Sequence, residues 1–225
     1  MILPTVTVHQ IGSECEPVAV IENFAPDPDA IRDDAASRIF GPGDNHYPGV
    51  KSPAPTCYLE RQWAVLKPVF NEVFGIKGKV GVLDVSYALV TTAPTTLGLE
   101  QRLPHVDALA PGRLALIHYL VRGGCDGTAF YRHRKTGFET VDHARSAAYY
   151  TSLNDDLRTQ GPPPLAYLDD NTPLFERIHH FDGLYNRALV YRGRVLHSGS
   201  IAADRELSAD PLTGRLTVTS FFAAD

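Results

Sequence analysis

Three residues in this chain have the clearest chemical use: His105, Asp107 and His197. On an extended segment, side chains at i and i+2 leave the backbone on the same side. His105-Val106-Asp107 would therefore aim an imidazole and a carboxylate at one point while Val106 packs the other way. A second imidazole completes a 2-His-1-carboxylate face, a donor set that suits Fe(II) and leaves coordination positions open. One His-x-Asp pair is weak evidence, because nine His and seventeen Asp give roughly 0.7 such pairs by chance. Indeed a second pair, His180-Phe181-Asp182, occurs. Position separates the two. Several strand-like runs lie between His105 and His197, whereas His180 leaves room for about one hairpin arm.

Arg215-Leu216-Thr217 adds a guanidinium and a hydroxyl on one side of a strand. A guanidinium grips a carboxylate bidentately, and a neighbouring hydroxyl adds a hydrogen bond. The loop from Ser200 to Gly214 is expected to join two adjacent strands between His197 and Arg215.

Strands and turns must place these groups. Pro17 to Phe24 reads as a strand, and Asp27-Pro28 as an N-cap with proline at the first helical position. Ile31, Ala35 and Ile39 predict a short amphipathic helix that ends at Gly41-Pro42-Gly43-Asp44. Pro48, Pro53 and Pro55 predict an irregular stretch, and Leu59 to Phe74 a helix kinked or split near Pro68. A β-rich run follows from Val80 to Val90. Leu114 to Val121, bounded by Gly112 and Gly123-Gly124, reads as a buried strand, and Thr128 to Tyr131 as another. Asp142 to Arg158 predicts a helix closed by Gly161 and three prolines. Arg192-Gly193-Arg194 reads as a compact hairpin turn between Ala188–Tyr191 and Val195–His197, and Leu216 to Phe222 as the last strand. The expected fold is mainly β with flanking helices, a double-stranded β-helix (jelly roll, cupin-like). The organisation is one domain over 1–225, with a helical N-terminal part at about 25–75 and a β core at about 79–222.

Composition narrows the partners. A net charge of −5 with scattered Lys and Arg lacks the basic footprint of a nucleic-acid binder. No apolar run is long enough for a bilayer, and the N-terminus lacks the pattern of a secretory signal. Cys15, Cys57 and Cys125 are few, widely spaced and read as packing residues of a reducing, cytoplasmic compartment.

His105-Val106-Asp107, Leu116-Ile117-His118-Tyr119-Leu120, Gly127-Thr128-Ala129-Phe130, Arg187 to Tyr191, His197 and Arg215-Leu216-Thr217 occur in a telling order. Across about residues 80–222 that order resembles the prolyl-4-hydroxylase-like Fe(II)/2-oxoglutarate-dependent oxygenases. The wording at Asn23 to Arg32, Tyr47-Pro48-Gly49, Tyr185 to Tyr191 and His197-Ser198-Gly199 is closer to an uncharacterised bacterial subgroup. The resemblance implies iron on His105, Asp107 and His197, and the 2-oxoglutarate carboxylate on Arg215, with Thr217, Tyr87 and Tyr119 assisting. It implies hydroxylation of a small molecule, amino acid or peptide with O2, and leaves room for ascorbate. The segment at 90–104 is longer than usual in the family and 142–160 is a helix-like insertion; the expectation for each is a lid or wall of the pocket, or else a remodelled active site. The alternatives are a jelly roll that binds metal only as a sensor or interaction module, and a cupin-like metalloenzyme without cosubstrate. Elsewhere, His118 reads as a hydrogen-bonded core histidine, His179-His180 as a surface or helix end, and His133 as a solvated strand end.

Overall fold

The computed structural model describes residues 2–43, 47–123, 126–168, 170 and 172–224. The chain opens with a hairpin of β1 (Thr5–Ile11) and β2 (Glu16–Glu22). Asp27 then caps α1 (Pro28–Ala36) by accepting a bond from the Ala30 N–H at 3.1 Å, with Pro28 supplying a preset φ. This helix stops before Ile39, which is left 93% exposed, so the apolar stripe is one turn shorter than expected. Two short strands follow, β3 (Gly41–Pro42) and β4 (Gly49–Pro53), and then α2 (Trp63–Pro68), which continues as one π-type turn over Val69–Val73. The break at Pro68 matches its missing N–H.

The remaining elements are β5 (Val80–Val90), β6 (Arg113–Tyr119), β7 (Gly127–His133), α3 (His143–Gln160), β8 (Phe175–Asp182), β9 (Ala188–Arg192), β10 (His197–Ser200) and β11 (Leu216–Ala224). They form an eight-stranded antiparallel sheet in the order β1-β2-β9-β6-β11-β5-β4-β3, facing a smaller sheet β10-β7-β8. This is a double-stranded β-helix. No helix among the described residues is long and apolar enough to cross a membrane.

Three apolar layers hold it. Leu66, Val69 and Phe70 from the helical segments, with Phe24 from the turn before α1, cover the outer face of the large sheet, against Leu89, Leu116, Val218 and Phe222. Val18, Val20, Ala115, Tyr119, Leu189 and Tyr191 fill the space between the sheets with Phe130 and Phe181. Helix α3 lays Tyr149 and Leu153 on the far side of the small sheet, against Tyr131 and Phe175. The Leu114–Ile117 stretch of β6 is apolar throughout because both its faces are covered, which erases the period-2 alternation of a half-exposed strand.

Several expectations are corrected. Residues 48–55 are not irregular: β4 pairs with β5 from Gly49↔Val90 to Pro53↔Ser86, near the sheet edge where proline is tolerated. The part at about 25–75 is not purely helical, since β3 and β4 join the large sheet. Arg192-Gly193-Arg194 does not turn a hairpin within one sheet. It carries the chain from β9 in the large sheet to β10 in the small one, and the loop after β10 crosses back to β11. His180 lies in β8 rather than at a helix end. His133 is fully buried, with Nδ1 2.9 Å from the Thr136 hydroxyl and Nε2 3.1 Å from Asp156 on α3. Cys15 and Cys57 are exposed thiols rather than packing residues. Cys125, with Asp44 and Gly124 of the expected turns, lies outside the described residues.

Candidate metal centre

His105 and Asp107 belong to no long strand, yet backbone bonds hold them tightly. The His105 N–H donates to the His197 carbonyl at 2.9 Å, and the His197 N–H returns the bond at 3.0 Å. This antiparallel bridge appends the His105 segment to the open edge of β10. The Asp107 N–H donates to the Gly193 carbonyl at 2.7 Å. A Cβ on Gly193 would meet the Asp107 Cβ at 3.3 Å and that of Arg113 at 3.6 Å, so a side chain at this sheet-crossing corner would press on Asp107.

The clamp brings the three ligand atoms within 4.8 Å of one another. His197 Nε2 stands 3.5 Å from Asp107 Oδ2, and His105 Nε2 stands 3.8 Å from Asp107 Oδ1. Both gaps exceed a hydrogen bond but fall below the span of two metal–ligand bonds of about 2.1 Å each. His197 Nδ1 lies 2.9 Å from the Val195 carbonyl, which can only accept, so Nδ1 carries the proton and Nε2 presents a lone pair. Burial lowers the His197 pKa to about 4, which keeps the ring neutral. A neutral imidazole lone pair facing a carboxylate suits a cation between them, and the donor set fits a divalent transition metal. Tyr191, 4.8 Å from the His197 ring between centroids, is buried beside it.

The triad opens on a cavity of about 680 Å³ between the sheets, whose lining also includes Arg215 and Thr217. Arg215 is only 3% exposed. Its Nη2 donates to the Gly127 carbonyl at 2.8 Å, and its guanidinium lies over the Tyr119 ring at 5.9 Å. Tyr119 and Thr217 face each other across β6 and β11, and the Tyr119 hydroxyl bonds Thr128 Oγ1 at 2.6 Å. Burial raises the Tyr119 pKa to about 12, so it stays a neutral phenol. Arg215, Thr217 and Tyr119 are thus brought together.

Tyr87 is not. It pairs with Val218, one position out of phase with Thr217, so it projects from the outer face and donates to Asp34 on α1 at 2.8 Å. The His180–Asp182 pair sits 3.4 Å apart on β8 and has no third ligand among the described residues. His118 is a buried core residue between the Tyr58 hydroxyl and Asn186.

Two features escaped sequence reasoning. Asp126 is buried at 2% exposure, with Oδ2 3.4 Å from Arg205 Nε and 3.9 Å from Arg215 Nε, and Oδ1 accepting from the Ala202 N–H. It ties the crossing loop after β10 to the arginine. Asp126-Gly127 reads only as a turn dipeptide, so no local signal marks this role. Tyr167 also lines the cavity and donates to the Thr92 carbonyl at 2.7 Å, while Arg102 donates to the Pro163 carbonyl at 2.5 Å. These bonds staple the wall at 90–104, where Glu100, Gln101 and Leu103 line the cavity, to the segment after α3. Helix α3 itself does not line the cavity; it packs behind the small sheet.

A family model described as a family of unknown function (DUF6445) matches residues 3–222. No curated protein matches the chain in sequence. Among solved structures, HygX from Streptomyces hygroscopicus with nickel and 2-oxoglutarate bound is 10% identical, with a TM-score of 0.58 over 92% of this chain and 82% of that one. The non-heme alpha ketoglutarate dependent epimerase SnoN from nogalamycin biosynthesis is 10% identical, with a TM-score of 0.52 over 93% of this chain and 78% of that one. A Pseudomonas putida prolyl-4-hydroxylase is 14% identical, with a TM-score of 0.48 over 94% and 95% of the two chains. At these identities the likeness extends to the fold.

Proposed function

Because the chain belongs to DUF6445, a family of unknown function, its activity has to be argued from the site, and we propose an Fe(II)- and 2-oxoglutarate-dependent dioxygenase. Its reaction is hydroxylation of a small molecule, amino acid or peptide. One observation carries this: a His-Asp-His triad and a buried arginine line one cavity between the two sheets. The folds of HygX, crystallised with 2-oxoglutarate, and of the epimerase SnoN support it. The order of motifs supports a place in the prolyl-4-hydroxylase-like branch.

In this reading His105, Asp107 and His197 hold the iron. When bound, ferrous iron supplies open coordination positions and electrons for the reaction of O2 with 2-oxoglutarate and substrate. The protein supplies orientation. Arg215 receives the distal carboxylate of 2-oxoglutarate, Thr217 adds a hydroxyl beside it, and Tyr119 supports the guanidinium from below. Asp126 acts through Arg215 as a positioning residue. The apolar wall from Ala115, Ile117 and Phe221 limits water in the cavity. A cytoplasmic setting suits ferrous iron and the exposed thiols of Cys15 and Cys57.

The test is aerobic conversion of 2-oxoglutarate to succinate by the iron-loaded protein, with an anaerobic spectrum in parallel. The wild type is expected to form succinate slowly even without substrate, and to develop a weak visible band with Fe(II) and 2-oxoglutarate. His105→Ala and Arg215→Gln should lose both. Metal binding without 2-oxoglutarate binding would instead favour a sensor or interaction module.

A further inference from the structure

The inner face of β6 carries Arg113, Ala115 and Ile117 along the cavity, with Tyr119 next on the same face. Tyr119 lies under Arg215. Ala115 pairs with Tyr191, whose ring rests against His197. Strand geometry therefore orders the cavity floor: Arg215 over Tyr119, then Ile117, then Ala115 on the His197 side of the triad, then Arg113 on its Asp107 side. Arg113 stands about 7 Å along the strand beyond Ala115, and roughly 20 Å from Tyr119. Its backbone is fixed at that end, since its carbonyl accepts from the Gly193 N–H at 2.9 Å, next to Asp107.

Among the described residues, the three Lys and Arg side chains that line the cavity differ in what holds them. Arg215 is bound to the Gly127 carbonyl and faces Asp126. Lys51 lies over the Tyr47 ring at 4.9 Å. Arg113 buries its Nη1 with no hydrogen-bond partner, and among the described residues no carboxylate pairs with it. A buried N–H of a charged group without an acceptor costs more than an ordinary lost hydrogen bond. An acceptor from the cavity would remove that cost.

We propose that the substrate is a small carboxylic acid whose carboxylate docks on Arg113, across the triad from Arg215. The planar guanidinium takes a carboxylate through two parallel N–H donors, which a lysine cannot reproduce. The short distance from Arg113 to the triad places the reacting carbon a few bonds from the acid group. The triad then separates two anion seats, one for 2-oxoglutarate and one for the substrate. This rests on the oxygenase reading for the 2-oxoglutarate seat and for the Arg113 ligand being the substrate, whereas carboxylate binding at Arg113 rests on its own geometry.

The experiment is ligand-detected NMR on the full chain loaded with Mn(II) and 2-oxoglutarate. The probes are a set of small carboxylic acids, the matched primary amides and a set of phosphate monoesters. Wild type is expected to bind several acids and not their amides. Arg113→Gln should weaken acid binding at least tenfold, Arg113→Lys less so, and neither should change the affinity for 2-oxoglutarate measured separately. Four outcomes overturn the proposal: amides that bind as well as acids, binding of phosphate esters alone, an unchanged Arg113→Gln, or no acid bound at all. The oxygenase reading fails separately, if Arg215→Gln keeps wild-type affinity for 2-oxoglutarate.

Discussion

Loading the triad with Mn(II), a stand-in for ferrous iron that does not oxidise in air, should raise the melting temperature by a calculable amount. A ligand at a hundred times its dissociation constant stabilises the native state by about 2.7 kcal/mol if it binds only the folded chain. Unfolding entropy near the midpoint is about 2.1 cal/mol/K per residue, or about 0.47 kcal/mol/K for 225 residues. The quotient is a shift of about 6 °C. The choice of variant decides whether the measurement is clean. His197→Ala removes a buried ring packed between Phe130 and Tyr191, so its unloaded form should already melt lower, by a cavity cost of about 2–4 kcal/mol. Asp107→Asn keeps the shape and the backbone bond to Gly193, and removes only the charge that faces the two imidazoles. Its unloaded melting point should stay close to wild type while the Mn(II) shift disappears. Differential scanning fluorimetry across a Mn(II) titration reads both. A full shift retained in Asp107→Asn, or no shift in the wild type at millimolar Mn(II), would refute the assignment of the triad.

Three further outcomes follow from the same geometry. Burial holds His118 and His197 at pKa values of about 4, below the 6.5 of the unfolded chain. The unfolded state therefore takes up protons first as pH falls, so stability is full above pH 6.5 and declines toward pH 4. At about 1.4 kcal/mol per pH unit the loss approaches about 3 kcal/mol for each histidine, and urea unfolding of metal-free protein at pH 7, 5.5 and 4.5 checks it. Asp126→Asn leaves the buried Arg215 and the partly buried Arg205 short of a countercharge. It should lose about 3 kcal/mol of stability and about tenfold in 2-oxoglutarate affinity, read by chemical unfolding and calorimetry. Tyr119→Phe and Tyr87→Phe each delete one hydroxyl bond worth about 1 kcal/mol. Only Tyr119→Phe should also weaken 2-oxoglutarate binding, because only Tyr119 lies beneath Arg215.

What could be read from the residues, and what could not, divides along a physical line. The i, i+2 spacing of His105 and Asp107 is a local property of extended chain, so the pair was legible before any fold. So was the Asp27-Pro28 helix start, whose cap bond spans three residues. Strand phase is different. Tyr87 and Ala88 are equally good strand residues, and only the register Thr217↔Ala88 decides which one faces the cavity. The Arg192-Gly193-Arg194 turn was visible, but its destination depends on which sheet edge stands open to the next strand. His133 was misjudged because Arg132, Arg134 and Lys135 look solvated in sequence. Its burial comes from α3, where Asp156 meets it from 23 residues away. Asp126 belongs to the same class, since its partners Arg205 and Arg215 arrive only after the chain has crossed between the sheets. A long-range charge contact leaves no periodicity in a single sequence. The parts of this site that position the chemistry, rather than perform it, therefore had to come from coordinates.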